Sequence, residues 1–450
     1  MIRAALLIAA LICDGFLSGA SHAAEIKPTR VVTENGMTVL IVDQPFLPIV
    51  TVNVLVKAGA VYDPDAKAGL SNMVAEMLDE GTKTRSATQI AEQIEFLGGE
   101  LAAEGGEDSA TARLRILRKD ADIGFTLLAD ILMHPKFDPK EVARVRDELV
   151  GSLQSEKDEP SIIATKAFNE LVFKGHPYRR PANGDEKTVT KLSRQDLVEF
   201  HDKFYRPNRA IMAIVGDLRE AEALALVKKH FGRWTPQELP LPAFPAPEPL
   251  PKPTLKLIDK DLTQATIVLG HVGIDRRNPD FYAVAVMNYI LGGGGFSSRL
   301  VRRIRDEQGL AYDVGSVFEA NVMPGSFAVH VQTRNAAANQ VLASVFQELK
   351  RIRTEPVGDQ ELADAKAYLI GSFPLRLDTT AKLASLLNLV ELHGLGLSYF
   401  DEYPKAIAAV TKEDVLRVAQ KYLNPDHYAL VVVAKLAEAK IDANVVSITK

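Results

Sequence analysis

Eight prolines fall between Thr235 and Pro253, at positions 236, 240, 242, 245, 247, 249, 251 and 253. Proline fixes φ and removes a backbone donor, so this stretch is held extended and cannot run through a helix or the interior of a sheet. It reads as an interdomain strap over residues 235–253. The strap divides the chain into halves of roughly two hundred residues, each the size of an ordinary domain.

Equal halves raise the question of duplication, and their ends match. The run Asp196 to Val215 (DLVEFHDKFYRPNRAIMAIV) aligns without a gap on Asp414 to Val433 (DVLRVAQKYLNPDHYALVVV). Each copy opens on a capping pattern, Ser193 to Asp196 and Thr411 to Asp414, and continues as a helix, a proline turn and a buried strand. Upstream, Phe137 to Glu141 sits like Val357 to Glu361, each opening an amphipathic helix.

In the first half, periodicity predicts strands over 37–42 and 49–58, helices over 69–78 and 86–97, a hairpin over 100–117, and helices from Asp120, Pro139 and Ser193. The second half repeats this, with strands near 255–258 and 265–272, helices near 281–291 and 297–307, a hairpin over 311–333 and three more helices. Strands in series followed by helices predict two homologous α+β domains, 24–234 and 254–450. Each is a mainly antiparallel sheet with helices on one face. Two such domains facing each other would enclose a cavity.

The ends of the chain bear on where it works. Met-Ile-Arg, the apolar run Ala4 to Cys13 and the small-residue exit Ser21-His22-Ala23 have the three-part pattern of a secretory signal peptide, residues 1–23, which predicts a periplasmic protein. Ile12 before Cys13 argues against a lipoprotein box. No later stretch is apolar enough to predict a membrane span. Cys13 is the only cysteine and leaves with the signal, so no disulfide, thiolate nucleophile or cysteine metal ligand is expected in the mature chain. A formal charge of -5 offers no basic stripe for phosphates, which excludes nucleic acid as the expected partner.

Hydrolytic motifs are missing. The nine histidines stand at 22, 134, 176, 201, 230, 271, 330, 393 and 427, never within two helical turns of one another, so neither H-E-x-x-H nor H-x-x-E-H occurs. No G-x-S-x-G elbow, Walker loop or EF-hand loop is present. Gly292 to Gly295 lacks the Lys-Ser/Thr that phosphate binding needs. His176 and His271 read as turn and packing residues.

The segment Ala68 to Thr82 (AGLSNMVAEMLDEGT), with Gly175-His-Pro-Tyr178, Phe204-Tyr-Arg-Pro-Asn208 and Val215-Gly-Asp217 following in order, resembles the pitrilysin/insulinase family of inverzincin peptidases, which includes mitochondrial processing peptidase. In that family the first segment carries H-x-x-E-H. Here the two histidine positions hold Asn72 and Glu76, the general-base position holds Ala75, and the third-ligand position falls near Gly151-Ser152. A zinc hydrolase needs three protein ligands, an activated water and a carboxylate to take the proton. No zinc is expected in this chain. Asn72 and Glu76, one turn apart, read as a helix-surface pair in preference to a weak hard-cation site.

The second half has the seven-residue spacing of the family's arginine/tyrosine pair at Arg305 and Tyr312, within SSRLVRRIRDEQGLAY. The resemblance implies that this pair binds peptide and steadies the tetrahedral oxyanion, in trans to zinc held elsewhere. Read from the residues alone, Arg299, Arg302, Arg303 and Arg305 form the wet side of one helix, and Tyr312 shares a strand face with Val314 and Phe318. The expectation is a non-catalytic, substrate-binding subunit, inactive alone, whose homologous partner carries H-x-x-E-H and zinc and acts on peptide or unfolded polypeptide. The alternative is a non-enzymatic scaffold with a peptidase-like fold; a lone metal enzyme would need ligands the sequence does not offer.

Overall fold

A computed structural model describes residues 26–240 and 242–442. The expected signal peptide lies outside the described residues. The first sheet has six strands: β1 (Thr29–Val32), β2 (Thr38–Asp43), β3 (Ile49–Val56), β4 (Glu100–Gly105), β5 (Ala110–Leu117) and β6 (Ala210–Gly216), in the order β1-β2-β6-β3-β5-β4. The second has five: β7 (Thr254–Asp259), β8 (Gln264–Val272), β9 (Ala311–Ala320), β10 (Pro324–Arg334) and β11 (Ala429–Ala434), in the order β7-β11-β8-β10-β9. Without β1, the two orders are the same. In each sheet the last strand of the half inserts parallel to the first of the shared set, and all other pairings are antiparallel.

Local chemistry accounts for the matching ends. The Ser193 and Thr411 hydroxyls each accept from the backbone N–H three residues on, while Asp196 and Asp414 reach back to the cap N–H, closing two capping boxes. The helices Arg194–Phe204 and Lys412–Tyr422 therefore start at equivalent points and deliver β6 and β11 to equivalent slots.

All seven residues of β6 and all six of β11 are buried, so both faces of each strand are covered. One face of the first sheet carries the helices of its own half, with Val52, Val54, Leu114 and Ile214 packed against Phe125, Leu128 and Phe200. The opposite face is covered by a helix from the other half, Thr380–Leu392. Asn388 Nδ2 donates to the Asn53 carbonyl at 2.9 Å, Asn53 Nδ2 donates to Ser385 Oγ at 3.0 Å, and the hydroxyls of Thr51 and Thr380 are 2.7 Å apart. The exchange is reciprocal: helix Pro160–Val172 of the first half lies on β8 and β11, packing Ala164, Ala167 and Phe168 against Val268, Ala328, Val431 and Val433.

The expectation of two α+β halves holds, and the lent helices are an addition to it. Other expectations change in detail. Among the described residues the second hairpin is followed by five α-helices before β11 and a short one after it, Leu436–Ala439, where three were expected. The expected helix over 281–291 is regular only over Phe281–Asn288 and then widens through Tyr289–Gly293. The widened turn runs close against β9 at Gly292, where a Cβ would lie 2.5 Å from Ser316 Oγ. The residues 297–307 likewise begin on a tight turn, Gly295–Ser297, and carry a widened turn over Val301–Glu307.

Candidate functional site

The helix to which the resemblance assigns the zinc positions spans Leu70–Glu76 and is entered through Gly69, whose φ of 92° suits a residue without a Cβ. The buried Asp63 carboxylate caps it, accepting from the backbone N–H groups of Gly69 and Ser71, each at 2.9 Å. Burial pushes Asp63 up to about 7.

The side chains at the ligand positions are turned to structure. Ala75 is 0% exposed, within the core under the first sheet. Asn72 Nδ2 donates to Glu76 Oε1 at 2.8 Å, so the pair is joined along one helix face as expected. Burial raises the Glu76 carboxyl, the Asn72 bond opposes that, and Glu148 raises it further. Ser152 is exposed on helix Pro139–Ser155, one turn beyond Glu148. Among the described residues no group of three His, Cys, Asp or Glu side chains is arranged to hold a metal ion. An amide already bonded to Glu76, a buried alanine and an exposed serine do not fit zinc. The helix does stand against a sheet edge: a Cβ at Gly105, the end of edge strand β4, would meet the Asn72 backbone at 2.7 Å.

Arg305 and Tyr312 lie beside the corresponding edge of the second sheet, Tyr312 on edge strand β9 itself. The four arginines of the preceding helix are not one wet surface. Arg299 is 4% exposed and donates Nε and Nη2 to Glu361, both at 2.7 Å. Arg303 pairs with Glu307 at 2.8 Å. Arg305 has no carboxylate partner among the described residues and sets its guanidinium 4.7 Å from the ring centroid of Phe296, itself 75% exposed.

Tyr312 departs from the strand face assigned to it by alternation. Gln332 of β10 pairs with Asp313 and Thr333 pairs with Ala311, which leaves Tyr312 as the extra residue of a β-bulge. Val314 is buried, whereas Tyr312 is 80% exposed. The bulge turns the phenol out of the sheet-face pattern. Nothing in the alternation of residues 311–320 signals it; the irregularity exists only in the pairing with β10.

A second feature joins the halves. The turn between β4 and β5 meets the turn between β9 and β10: Asp108 accepts from Tyr178 Oη at 2.7 Å and from the Val322 N–H at 3.1 Å. His176 accepts from the Tyr178 N–H at 3.2 Å, with Nε2 3.3 Å from Met323 Sδ. Burial pushes His176 down to about 4, and His271, whose Nε2 accepts from the Asn424 N–H at 3.0 Å, to about 4 as well. Both histidines are thus turn and packing residues.

The same junction makes stability depend on pH. Burial first, then Asp108, Glu319 and Asp63, push half-buried Glu107 up to about 8, against the opposing pull of Arg180. A carboxyl raised in the folded state stabilises fully below its unfolded value and loses that contribution as pH rises through about 8. Asp63 acts with the same sign. The depressed histidines act oppositely, losing stability as pH falls from the ordinary histidine range toward about 4. The melting temperature of the full chain should therefore fall as pH rises from about 6.5 to about 8, and Glu107→Gln should flatten that decline; an unchanged slope in the variant would contradict this assignment.

Comparison with known proteins agrees with the geometry. The family model described as "Insulinase (Peptidase family M16)" matches residues 38–186, and that described as "Peptidase M16 inactive domain" matches residues 191–369. A Mycobacterium tuberculosis protein named an uncharacterized zinc protease is 28% identical over 419 residues, 92% of this chain and 95% of that protein. A Rickettsia felis protein of the same name is 29% identical over 342 residues, 75% of this chain and 80% of that protein. The crystal structure of a peptidase M16 inactive domain from Pseudomonas fluorescens superposes with a TM-score of 0.86 at 28% identity, covering 91% of this chain and 98% of that one. A protease from Helicobacter pylori shares the fold at the same TM-score of 0.86 and 20% identity, covering 91% of this chain and 99% of that one.

Proposed function

The chain belongs to the insulinase family of peptidases, family M16, and we propose that it is the substrate-binding subunit of a heteromeric zinc peptidase whose partner supplies the metal and the general base. As a peptidase-like chain it is non-catalytic. The observation that carries the proposal is selective loss: the zinc positions are packed or paired as Asn72, Ala75 and Glu76, while Arg305 has no ion pair among the described residues and Tyr312 is turned outward on a bulge.

A guanidinium and a phenol presented together supply donors where negative charge develops on a cleaved carbonyl. Neither residue is needed to hold this chain's own fold. Peptide would enter as an added strand along an exposed sheet edge, its main-chain groups meeting the free side of β4 or β9. The partner is a homologue with H-x-x-E-H, and the two chains would enclose a chamber between their sheets. We place the complex in the periplasm on the strength of the N-terminal signal pattern. Among the described residues no helix is long and apolar enough to cross a membrane.

The test is reconstitution with an exported homologue that has the intact motif. Alone, this chain should cleave no peptide and carry no stoichiometric zinc by metal analysis. Mixed with the homologue, it should raise cleavage above that of the homologue alone. A mixture that gains nothing, with the two chains nevertheless co-eluting, would favour the scaffold reading.

A further inference from the structure

Where the two hairpin turns join the halves, a methionine sulfur rests against a buried histidine. Met323 stands in the turn between β9 and β10, and its Sδ lies 3.3 Å from His176 Nε2. Nδ1 of that ring accepts from the Tyr178 N–H, and burial keeps the ring neutral, so its one ring proton is on Nε2 and points at the sulfur. The contact closes a connected set. The Met323 N–H donates to Tyr178 Oη at 3.3 Å, while Tyr178 Oη and the Val322 N–H both donate to Asp108.

Of the eight methionines, all but Met1 lie among the described residues, and burial separates them. Met37, Met73, Met77, Met212 and Met287 are 0% exposed. Met133 and Met323 are the two that reach the surface, each in part. Met133 packs on the first half's core, whereas Met323 packs on the cluster shared by both halves.

A thioether that meets hydrogen peroxide undergoes a two-electron oxygen transfer. The sulfur lone pair attacks one peroxide oxygen, the O–O bond breaks, and the peroxide is reduced to water as the sulfide becomes a sulfoxide. The product is polar, and its oxygen is a stronger acceptor than the sulfur it replaces. An oxygen turned toward His176 has no room, because Nε2 already stands 3.3 Å from the sulfur, so the ring must withdraw or the turn must swing out. An oxygen turned away puts a polar group at the margin of the apolar cluster that includes Phe173 and Ala328.

We propose that Met323 is an oxidant-sensitive modification site: hydrogen peroxide converts it to the sulfoxide in the folded chain, and the sulfoxide releases the turn between β9 and β10 from Tyr178 and Asp108. Methionine sulfoxide reductases restore the thioether, so the release is reversible. The site shares no residue with Arg305 and Tyr312 and does not depend on the subunit proposal.

The test uses the full chain as Met133→Leu, a volume-conserving change that leaves Met323 as the one partly exposed methionine among the described residues. After brief treatment with hydrogen peroxide, peptide mapping by mass spectrometry should find the added oxygen on Met323 and not on the five buried methionines. Hydrogen exchange at the Val322 and Met323 amides should then rise by about tenfold, as for the loss of one hydrogen bond, and should fall back after treatment with the reductases. The double variant Met133→Leu, Met323→Leu, treated in the same way, should show no rise. Oxidation of Met323 no faster than that of the buried methionines overturns the proposal. So does a Met323 sulfoxide whose exchange at these two amides matches the untreated chain, or stays raised once the thioether is restored.

Discussion

Arg305→Ala, mixed with a catalytic homologue, is expected to lower kcat/KM for peptide cleavage by about 10²–10³, the cost of removing one preorganised oxyanion donor. Tyr312→Phe, which loses only the hydroxyl, is expected to cost on the order of tenfold to a hundredfold. The division between kcat and KM carries the mechanistic content. A donor that engages only the developing oxyanion lowers kcat and kcat/KM together, whereas one that only grips the peptide raises KM. Arg303→Gln serves as the control, since Arg303 is already paired to Glu307 on the same helix. Both variants should fold normally, because Tyr312 is exposed and the Arg305 guanidinium, which makes no ion pair among the described residues, lies over the exposed ring of Phe296. Cleavage that survives undiminished in both would remove the subunit proposal while leaving the family membership intact.

The contrast between these two residues and the zinc positions shows where sequence is informative. Asn72, Ala75 and Glu76 could be placed because a helix of fixed period maps spacing onto geometry, and the Asn72–Glu76 hydrogen bond follows from their separation by one turn. The capping boxes at Ser193 and Thr411 were legible for the same reason: all their atoms lie within four residues. Tyr312 was misplaced on its strand face because the strand period fails at a bulge, and a bulge is a property of two strands rather than of one. The lent helices were illegible altogether. Thr51 and Thr380, or Asn53 and Asn388, are brought together across more than three hundred residues, and nothing local in either segment encodes the meeting. The trace they do leave is indirect: β6 and β11 are apolar along their whole length because a second helix covers the face that would otherwise be wet.

That exchange makes a strong prediction about stability. Phe168 is 1% exposed on the helix that the first half lends to the second sheet, against Val268, Ala328 and Val431. Phe168→Ala leaves a cavity there and is expected to cost about 3–5 kcal/mol. Leu387→Ala, the counterpart on the helix lent in the other direction, is expected to cost about 2–5 kcal/mol. The sole tryptophan, Trp234, is buried in the first half's own core and donates Nε1 to the Tyr205 carbonyl at 3.1 Å, so its fluorescence reports on that half alone. Far-ultraviolet circular dichroism reports on both. If each half is completed by a helix of the other, denaturant melts of Phe168→Ala should shift to lower midpoint together by both signals, although the cavity lies on the second sheet. A tryptophan transition that stays at the wild-type midpoint while the dichroism splits into two steps would show that the halves stand alone. In that case the exchanged helices are decoration on two independent domains; in the coupled case the chain is one folding unit, and the proline strap spans it without dividing it.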